Sequence, residues 1–236
     1  MRFLVTAGNT RQKIDEVRDW GNIFTGNTGY AIAKALAEVG EVDLVTSNRQ
    51  HLEEVHWETG SKIRGIAFHT HEELKQALAR LMGAETYDAV FMTAAVADYR
   101  PIRVFSIVSR ENAGDGQEKW VVRDVQAGKV KSTYPLIAIL GEPTEKLVDM
   151  FRREWGYRGI LVKFKLEVGI SKEQLLKIGE ASRTSSGADY LVANTLEMID
   201  GPNAGAYLLW AGGDGWVPRG DLPGRMVRIV KERKVD

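Results

Sequence analysis

The stretch that decides the fold is Phe3-Leu4-Val5-Thr6-Ala7-Gly8, near the start of the chain. Its apolar run has the length of a buried strand, and a glycine-containing loop follows it directly. Further along, residues 30–39 carry apolar side chains at helical spacing, and the pattern stops at Gly40. A buried strand followed by a loop and a helix is the first unit of a parallel α/β sheet.

Similar units continue along the chain. Further short apolar runs predict strands at 42–46, 89–93, 136–140, 159–164 and 190–193. Helical patterns lie between them at 71–81, 145–155 and 171–182, the last with Ser171 as its expected N-cap. Continuous apolar strands are typical of a sheet that is covered on both faces. We therefore predict an α/β fold with a Rossmann-like, doubly wound, mainly parallel sheet.

Two stretches depart from this alternation and predict β-hairpin excursions. Residues 103–131 contain a turn at 112–116, with strand-like segments at 104–108 and 120–125 on either side. Residues 201–221 are rich in glycine and predict a second hairpin, from 206–210 to 215–217. A basic amphipathic helix is expected over 223–234. No linker or repeat interrupts the chain, so 1–236 is interpreted as a single domain.

Composition excludes several classes of function. The 236 residues contain 32 Lys and Arg, 32 Asp and Glu, and no Cys. Without cysteine there are no disulfides, thiolate zinc sites or cysteine nucleophiles. A chain without net charge lacks the basic footprint of a general nucleic-acid binder, and its apolar runs are too short to span a membrane. We expect a cytoplasmic protein with neither nucleic acid nor membrane as a partner.

The loop after the first strand is the strongest functional signal. In an open parallel sheet, ligands bind beyond the carboxyl ends of the strands, and this loop runs about twenty residues before a helix begins near Thr28. It ends with Gly26 and Gly29, which let the backbone approach a ligand beside the free N–H groups of a helix start. Arg11 and Arg18 add cations that suit a phosphate. The loop predicts an anion site, against the simpler alternative of a turn and a helix cap.

The glycine spacing differs from that of familiar nucleotide-binding loops. The dinucleotide fingerprint packs G-x-G-x-x-G directly between strand and helix, whereas Gly8 and Gly26 are far apart here, and no P-loop Gly-Lys-Ser/Thr follows. Tyr30 and Lys34 match the Y-x-x-x-K pair of short-chain dehydrogenases, but they lie on the first helix instead of in mid-chain. An NAD(P)-dependent oxidoreductase of Rossmann type is therefore an alternative that lacks its expected fingerprint.

The order of the motifs resembles that of phosphopantothenoylcysteine synthetases. The matching segments are Val5-Thr6-Ala7-Gly8-x-Thr10-Arg11, Ile14-Asp15-x-Val17-Arg18, Asn22-x-x-Thr25-Gly26-x-x-Gly29, Ala94-Ala95-Val96-Ala97-Asp98-Tyr99, Lys129-Val130-Lys131, Pro143 with its following helix, Lys163-Phe164 with Glu167, and Asp189-Tyr190-Leu191-Val192-Ala193-Asn194. The order is kept over roughly residues 2–230. The motif that runs from Val5 to Gly29 and the motif at 94–99 are specific, whereas the later ones are individually weak.

The resemblance implies a stand-alone ligase that joins 4′-phosphopantothenate to L-cysteine in coenzyme A biosynthesis. In this family the pantothenate carboxylate attacks the α-phosphate of a nucleoside triphosphate, and cysteine then displaces the nucleotide from the acyl-nucleotide intermediate. The resemblance further implies Mg²⁺ with CTP or ATP as co-substrate, no flavin, and a homodimer that forms through the β-rich excursions. A non-catalytic nucleotide-binding homologue is the other alternative.

The resemblance also assigns roles to individual residues. It implies catalytic roles for Asn22 at the acyl carbonyl, Arg18 at the phosphate or intermediate, and Lys129 as the cation at the α-phosphate. The implied nucleotide-binding residues are Gly8, Thr10, Arg11, Ala94, Ala95, Asp98 and Phe164. The implied substrate-phosphate residues are Thr25, Gly26 and Gly29, and no residue is implied as a metal ligand.

Two departures from the family pattern leave choices open. The gap from Asp98 to Lys129 is longer than usual, so Lys131 is the alternative catalytic lysine and 103–131 is interpreted as an insertion. Bacterial members that use CTP carry lysines on the helix before the Ala-Asn strand, where this chain has Arg183 as the only cation. The choice between CTP and ATP is therefore open.

Overall fold

The computed structural model describes residues 1–232 as strands and helices in alternation. The strands are β1 (Arg2–Ala7), β2 (Arg11–Lys13), β3 (Asp19–Gly21), β4 (Glu41–Thr46), β5 (Ile63–Ala67), β6 (Ala89–Met92), β7 (Tyr99–Gly114), β8 (Gln117–Asp124), β9 (Ile137–Pro143), β10 (Ile160–Glu167), β11 (Tyr190–Thr195), β12 (Gly205–Trp210) and β13 (Gly213–Pro218). The helices are α1 (Asn27–Ala37), α2 (Arg49–Trp57), α3 (His71–Ala84), α4 (Leu147–Arg153), α5 (Lys172–Ser186) and α6 (Leu222–Glu232).

The main sheet has eight strands in the order β13-β12-β11-β10-β6-β1-β4-β5. From β5 to β11 the neighbouring strands are parallel, whereas β12 and β13 are antiparallel additions at one end. The order of the parallel strands reverses between β1 and β6, which are neighbours on opposite sides of a topological switch point. The predicted doubly wound, mainly parallel α/β sheet is confirmed.

Helices cover both faces of this sheet because successive residues of its strands point to opposite sides. Phe3 and Val5 of β1 lie in one apolar cluster with residues of α1 and α6, and Leu4 lies in a second cluster with residues of α3 and α4. All three β1 side chains are fully buried. The core therefore packs against β1 on both faces of the sheet. The first loop begins where β1 ends, at the carboxyl edge.

A second, three-stranded antiparallel sheet has the order β8-β7-β9. The expected hairpin of β7 and β8 is present, but β7 begins at Tyr99, before the predicted bound of 103, and β9 extends this sheet to Pro143, beyond 131. Placing 136–140 in the buried sheet was wrong, because β9 pairs with β7 instead. Leu136, Ile137 and Leu140 are each more than 40% exposed, so apolar character here marks an open surface.

The remaining elements follow the sequence pattern with exceptions that have physical reasons. The hairpin of β12 and β13 is present as expected, and α6 covers 222–232, so the expected end at Lys234 lies outside the described residues. The pattern failed to predict α2 and β5, because α2 is largely polar and only Ile63 of β5 is buried. Within residues 1–232 no helix combines the length and apolarity needed to cross a bilayer. The single-domain interpretation of 1–236 stays a prediction.

Candidate active site

The loops after β1 and β6 are tied together at the switch point. The Ala95 N–H donates to the Gly8 carbonyl at 2.9 Å, and the Thr10 N–H donates to the Ala95 carbonyl at 3.2 Å. Asn9 and Ala95 form an isolated parallel bridge. Segments nearly ninety positions apart in the chain therefore form one continuous rim at the carboxyl edge of the sheet, which is where an open α/β sheet binds ligands.

Two threonine hydroxyls support the loop after β6 through hydrogen bonds to its backbone. The Ala94 N–H donates to Thr6 Oγ1 at 3.1 Å, and the Ala97 N–H donates to Thr10 Oγ1 at 2.7 Å. Thr10 is fully buried, so its hydroxyl supports the loop that carries Ala94 and Ala95. Its expected contact with a nucleotide stays a prediction, and the structure gives it a supporting position.

Glycines bring α1 against the ends of β1 and β6. Gly26 has φ 86°, and a Cβ atom built on it would lie 2.0 Å from the Gly8 nitrogen. A Cβ on Gly29 would lie 2.1 Å from Thr93 Oγ1. Neither position leaves space for a side chain, and the φ of Gly26 disfavours any other residue. The helix start therefore lies directly beside the tied loops.

The amino end of α1 is open to a ligand. Its N-cap, Gly26, provides no side-chain acceptor, so the first N–H groups of this helix have no cap from that residue. Thr25 lies just before it, exposed, with its carbonyl accepting from Asn48 Nδ2 at 3.0 Å. A helix start of this kind attracts anions. The three residues that were predicted to bind phosphate, Thr25, Gly26 and Gly29, therefore lie together beside Gly8.

Asn22 reaches the same rim from the hairpin formed by β2 and β3, which the sequence pattern did not predict. Its Nδ2 donates to the Ala95 carbonyl at 3.1 Å. Asn9 holds the backbone around it, because Asn9 Nδ2 donates to the carbonyls of Asn22 at 2.5 Å and Phe24 at 2.9 Å. Sequence reasoning did not nominate Asn9, although its place directly after Gly8 was the available signal.

The predicted cations divide into two groups. Arg11 begins β2, its N–H bonded to the His69 carbonyl at 2.7 Å and its side chain exposed beside the rim. Arg18 lies at the far end of the same hairpin, where its guanidinium binds the buried carboxylate of Asp15 and the Val130 carbonyl. Its side chain is 42% exposed. Lys129 and Lys131 flank Val130 and are both exposed.

Asp98 and Phe164 lie on the other side of the rim. Asp98 follows the tied loop and forms an ion pair with Lys146, at the start of α4. Phe164 lies on β10 one residue beyond the pairing of Lys163 with Met92 of β6, and it is partly buried against the core. Both predicted nucleotide-binding residues are therefore at the carboxyl edge, but within residues 1–232 neither forms a hydrogen bond with the first loop.

Lys163 is a cation that sequence reasoning did not assign to the site. Its Nζ donates to the Ser182 carbonyl of α5 at 3.2 Å. Burial lowers the pKa of Lys163, and the nearby charges of Lys165 and Lys146 act in the same direction, whereas Asp149 opposes them. Its strand neighbour Phe164 was the available signal, because residues beside a predicted base contact lie at the same edge.

The Tyr30 and Lys34 pair does not have the properties of a dehydrogenase pair. Tyr30 is buried against His51, with ring centroids 4.3 Å apart, and Lys34 lies over its ring. Burial, together with a hydrogen bond to Glu54, raises the pKa of Tyr30 to about 12. A catalytic tyrosine needs the opposite shift, because it must ionise near neutral pH. These residues pack α1 against α2.

Known proteins resemble this chain in sequence. Residues 1–115 match the family described as the DNA/pantothenate metabolism flavoprotein C-terminal domain. This match takes in just under half of the chain, whose first residues are thus similar to that domain. The resemblance expected from the motif order is thereby confirmed, and the matched residues contain the first loop, Asn22 and the loop after β6.

Curated relatives extend the likeness beyond that match. The coenzyme A biosynthesis bifunctional protein CoaBC of Thermococcus kodakarensis is 32% identical over 199 residues, which is 84% of this chain and 42% of the relative. The protein of the same name from Mycolicibacterium smegmatis is 30% identical over 199 residues, 83% of this chain and 42% of its own length. The chain therefore spans less than half the length of these relatives.

Solved structures share the fold over the whole chain. The crystal structure of a DNA/pantothenate metabolism flavoprotein from Streptococcus pneumoniae has a TM-score of 0.80 at 22% identity, covering 99% of both chains. A Cab2 variant in complex with phosphopantothenate-cysteine has a TM-score of 0.67 at 15% identity, covering 99% of this chain and 88% of its own. The fold is thus shared at low sequence identity.

Proposed function

We propose that this chain is a phosphopantothenate–cysteine ligase, which joins 4′-phosphopantothenate to L-cysteine through an acyl-nucleotide intermediate in coenzyme A biosynthesis. The observation that carries the proposal is the tied rim, where Asn22, the first loop and Ala95 meet beside the open start of α1. Support comes from the family, whose relatives are named for coenzyme A biosynthesis, and from a fold neighbour that binds phosphopantothenate-cysteine.

The proposed chemistry has two steps. A carboxylate oxygen of phosphopantothenate attacks the α-phosphorus of the triphosphate, the bond to the β-phosphate oxygen breaks, and pyrophosphate leaves. The cysteine amine then attacks the acyl carbon and loses a proton, and the nucleoside monophosphate leaves as the amide forms. Negative charge grows on the α-phosphate in the first step, so fixed cations and N–H donors lower its barrier.

The residues of the rim suit these steps. The open N–H groups of α1 and the exposed side chain of Arg11 offer donors to phosphate oxygens. The hydrogen bond from the Asn22 amide to the Ala95 carbonyl holds this side chain at the rim. We propose that Asn22 binds the acyl carbonyl of the substrate there. Lys129 is the proposed cation at the α-phosphate, with Lys131 as the alternative just beyond Val130 on the same segment.

We write magnesium as part of the triphosphate substrate. Within residues 1–232 no three His, Asp or Glu side chains come together as a metal-binding group. A magnesium ion commonly keeps most of its waters and binds through substrate phosphates, where it neutralises charge on the leaving pyrophosphate. The remaining nucleotide residues, Asp98 and Phe164, are assigned to the ribose and base, and the proposal includes both CTP and ATP.

We further propose that the active form is a homodimer that pairs through the β8-β7-β9 sheet. Apolar side chains more than 40% exposed on this sheet and its approach are Val108, Trp120, Val121, Val122, Leu136, Ile137 and Leu140. Soluble monomers rarely expose so many apolar side chains in one region. Sedimentation equilibrium at micromolar concentration should give twice the chain mass. A monomer mass at all concentrations would contradict this proposal.

A direct assay tests the ligase. Purified protein is mixed with 4′-phosphopantothenate, cysteine, Mg²⁺ and either CTP or ATP, and pyrophosphate and nucleoside monophosphate are measured. With all substrates present we expect equal amounts of both products, and neither product without 4′-phosphopantothenate or without the nucleotide. Omitting cysteine should leave the first step intact and give pyrophosphate without free monophosphate.

Two controls separate the ligase from its alternatives. Asn22→Ala should lower turnover by roughly tenfold or more, because it removes the proposed acyl contact. Thr59→Ala, an exposed change in the turn between α2 and β5, should leave the rate unaltered. Nucleotide binding without pyrophosphate release from either CTP or ATP would favour the non-catalytic homologue and overturn the ligase proposal.

A further inference from the structure

The segment that carries the two candidate lysines is irregular, yet one of its residues is buried and held on both sides. Val130 is 2% exposed, between the exposed Lys129 and Lys131. Its N–H donates to Asp15 Oδ2 at 3.0 Å, and its carbonyl accepts from Arg18 Nη2 at 2.7 Å. We call these contacts between Asp15, Arg18 and Val130 the clasp.

Asp15 is the centre of the clasp. Its side chain is fully buried, and its two oxygens accept from the N–H groups of Val17 at 3.0 Å, Arg18 at 2.9 Å and Val130 at 3.0 Å. Arg18 Nε donates to Oδ2 at 3.0 Å, and Arg18 Nη2 also contacts that oxygen. A buried carboxylate is costly unless it is paired and hydrogen-bonded, and this one satisfies both conditions.

Further hydrogen bonds join the same two segments. The Glu16 N–H donates to the Gly128 carbonyl at 2.9 Å. Gln126 Nε2 donates to the Ile14 carbonyl at 3.3 Å, while its Oε1 accepts from the Val104 N–H at 2.9 Å. Residues 126–130 are therefore bound along the turn of the β2 and β3 hairpin, although they form no regular element themselves.

The hairpin connects the clasp to the rim. Its three residue pairs run from Lys13 and Asp19 at the clasp to Arg11 and Gly21 at the other end, beside Asn22. The two steps between these three pairs span roughly 7 Å. Asn22 and the lysine segment are thus fixed to opposite ends of one short rigid element, which sets the distance between them.

We propose that Asp15 is a positioning residue for the reaction: it holds the Lys129–Lys131 segment at a set distance from Asn22 and has no contact with substrate. This inference rests on the proposed ligase function. The proposal gives Arg18 a second task, because the guanidinium that we assign to the phosphate or intermediate also completes the clasp through its bonds to Asp15 and Val130. A displacement of about 1 Å in a reacting group can cost about 100-fold in rate.

The test is a double-mutant cycle between Asp15 and Lys129. Asp15→Asn keeps the size of the side chain but removes the charge that binds Arg18, and kcat should fall roughly 10- to 100-fold while KM for cysteine changes less than about twofold. If Asp15 acts through the lysine, the double variant with Lys129→Gln should be no slower than Lys129→Gln alone. Lys131→Gln in the same cycle identifies which lysine is positioned.

Two further variants accompany the cycle. Asp19→Asn removes an exposed carboxylate from the same hairpin and should leave kcat unchanged. Gln126→Ala removes hydrogen bonds that hold the segment without altering the buried charge, so kcat should fall only roughly threefold. This variant keeps the proposal testable if Asp15→Asn fails to fold. The proposal would be overturned if the fall in kcat of the double variant equalled the product of the falls in the two single variants. An unchanged kcat in both Asp15→Asn and Gln126→Ala would also overturn it.

A second readout does not depend on ligase activity. Trypsin cleaves after lysine, and bonds in a segment released from its clasp should be cut at least fivefold faster at Lys129 and Lys131 in Asp15→Asn than in wild type. If wild type has no ligase activity but the variant shows this faster cleavage, the proposed function fails and the clasp stands. Equal cleavage in the two proteins would show that Asp15 does not hold the segment, which overturns the inference itself.

Discussion

The amino and carboxyl edges of the main sheet, where its parallel strands begin and end, differ in how their charged side chains are paired. At the amino edge Asp43 is buried and accepts from Arg2 Nη2 at 3.1 Å, Arg64 Nε at 2.5 Å and Tyr87 Oη at 2.6 Å. Glu85 binds the outer side of both arginines. In this cluster two arginines and two carboxylates neutralise one another.

At the carboxyl edge the tied loops after β1 and β6 are held by neutral contacts, although Asp98 pairs with Lys146 beside them. Those loops are joined by backbone bonds and by the side chains of Thr6, Thr10 and Asn9, while Arg11 and Lys129 stay exposed. The comparison teaches that one sheet supports both stability and ligand binding when the charges that stabilise it are kept at the opposite edge. Removing charge from each edge should therefore have different consequences.

The largest expected effect is on turnover at the carboxyl edge. Lys129→Gln should slow the ligase reaction roughly 100- to 1,000-fold, because it removes a fixed cation from the developing phosphate charge. The free energy of unfolding should change by less than about 0.5 kcal/mol, since the side chain is exposed. Initial rates of pyrophosphate release and thermal denaturation measure the two quantities.

The matched control for this prediction is Lys62→Gln, which removes the same charge from an exposed site at the amino edge. Its rate should equal that of wild type. A wild-type rate in Lys129→Gln would show that this lysine was misassigned, and the same measurement on Lys131→Gln would then decide whether the neighbouring lysine has the role.

The second effect is on stability at the amino edge. Asp43→Ala should lower the free energy of unfolding by about 3 kcal/mol, because two arginines and a buried tyrosine hydroxyl lose their common partner. Arg64→Ala removes a partner that is 53% exposed and should cost less than about 1 kcal/mol. Denaturant titration measures both. A large fall in kcat of still-folded Asp43→Ala would contradict the separation of the two edges.

The smallest expected effect is a pH dependence beside α1. Burial lowers the pKa of His51 from its ordinary value near 6.5. The unfolded chain then takes up a proton before the folded chain does, so stability present above about pH 6.5 should be lost as the pH falls below it. The difference in melting temperature between pH 7.5 and 5.5 should be smaller in His51→Gln than in wild type.

His56 provides the control for this measurement, because it lies exposed on the same helix. His56→Gln should retain the pH dependence of wild type. If His51→Gln and wild type lost the same stability on acidification, the ring of His51 would have to be protonated without cost. Its burial and the nearby charge of Lys34 argue against that.

The sequence allowed the rim to be predicted because its signals are local. An apolar strand such as β1 ends at a recognisable residue, and Gly26 and Gly29 indicate a close approach of backbone. The partners of these residues are not local. That Thr10 supports Ala97 and that Asn22 binds Ala95 depends on β1 and β6 being neighbours, which periodicity does not specify.

The second sheet was harder to predict for a different reason. An apolar run such as Leu136 to Leu140 has the same composition whether it lies in a core or on an open surface, so its pattern favoured the commoner buried case. Arg18 was predicted to bind phosphate from its charge and from the family resemblance, and neither indicated its second partner. Its ion pair with the buried Asp15 depends on the turn between β2 and β3. The sequence shows only that the two residues are close in the chain.

The antiparallel end of the main sheet has a consequence for solubility. A parallel sheet that ended at β11 would present an unpaired strand able to recruit another chain, and β12 and β13 cover it. The new outermost strand, β13, contains Asp214 and ends at Pro218, both of which resist further strand addition. At the opposite end, β5 is short and carries Arg64. The main sheet is thereby protected from edge-to-edge aggregation at both ends.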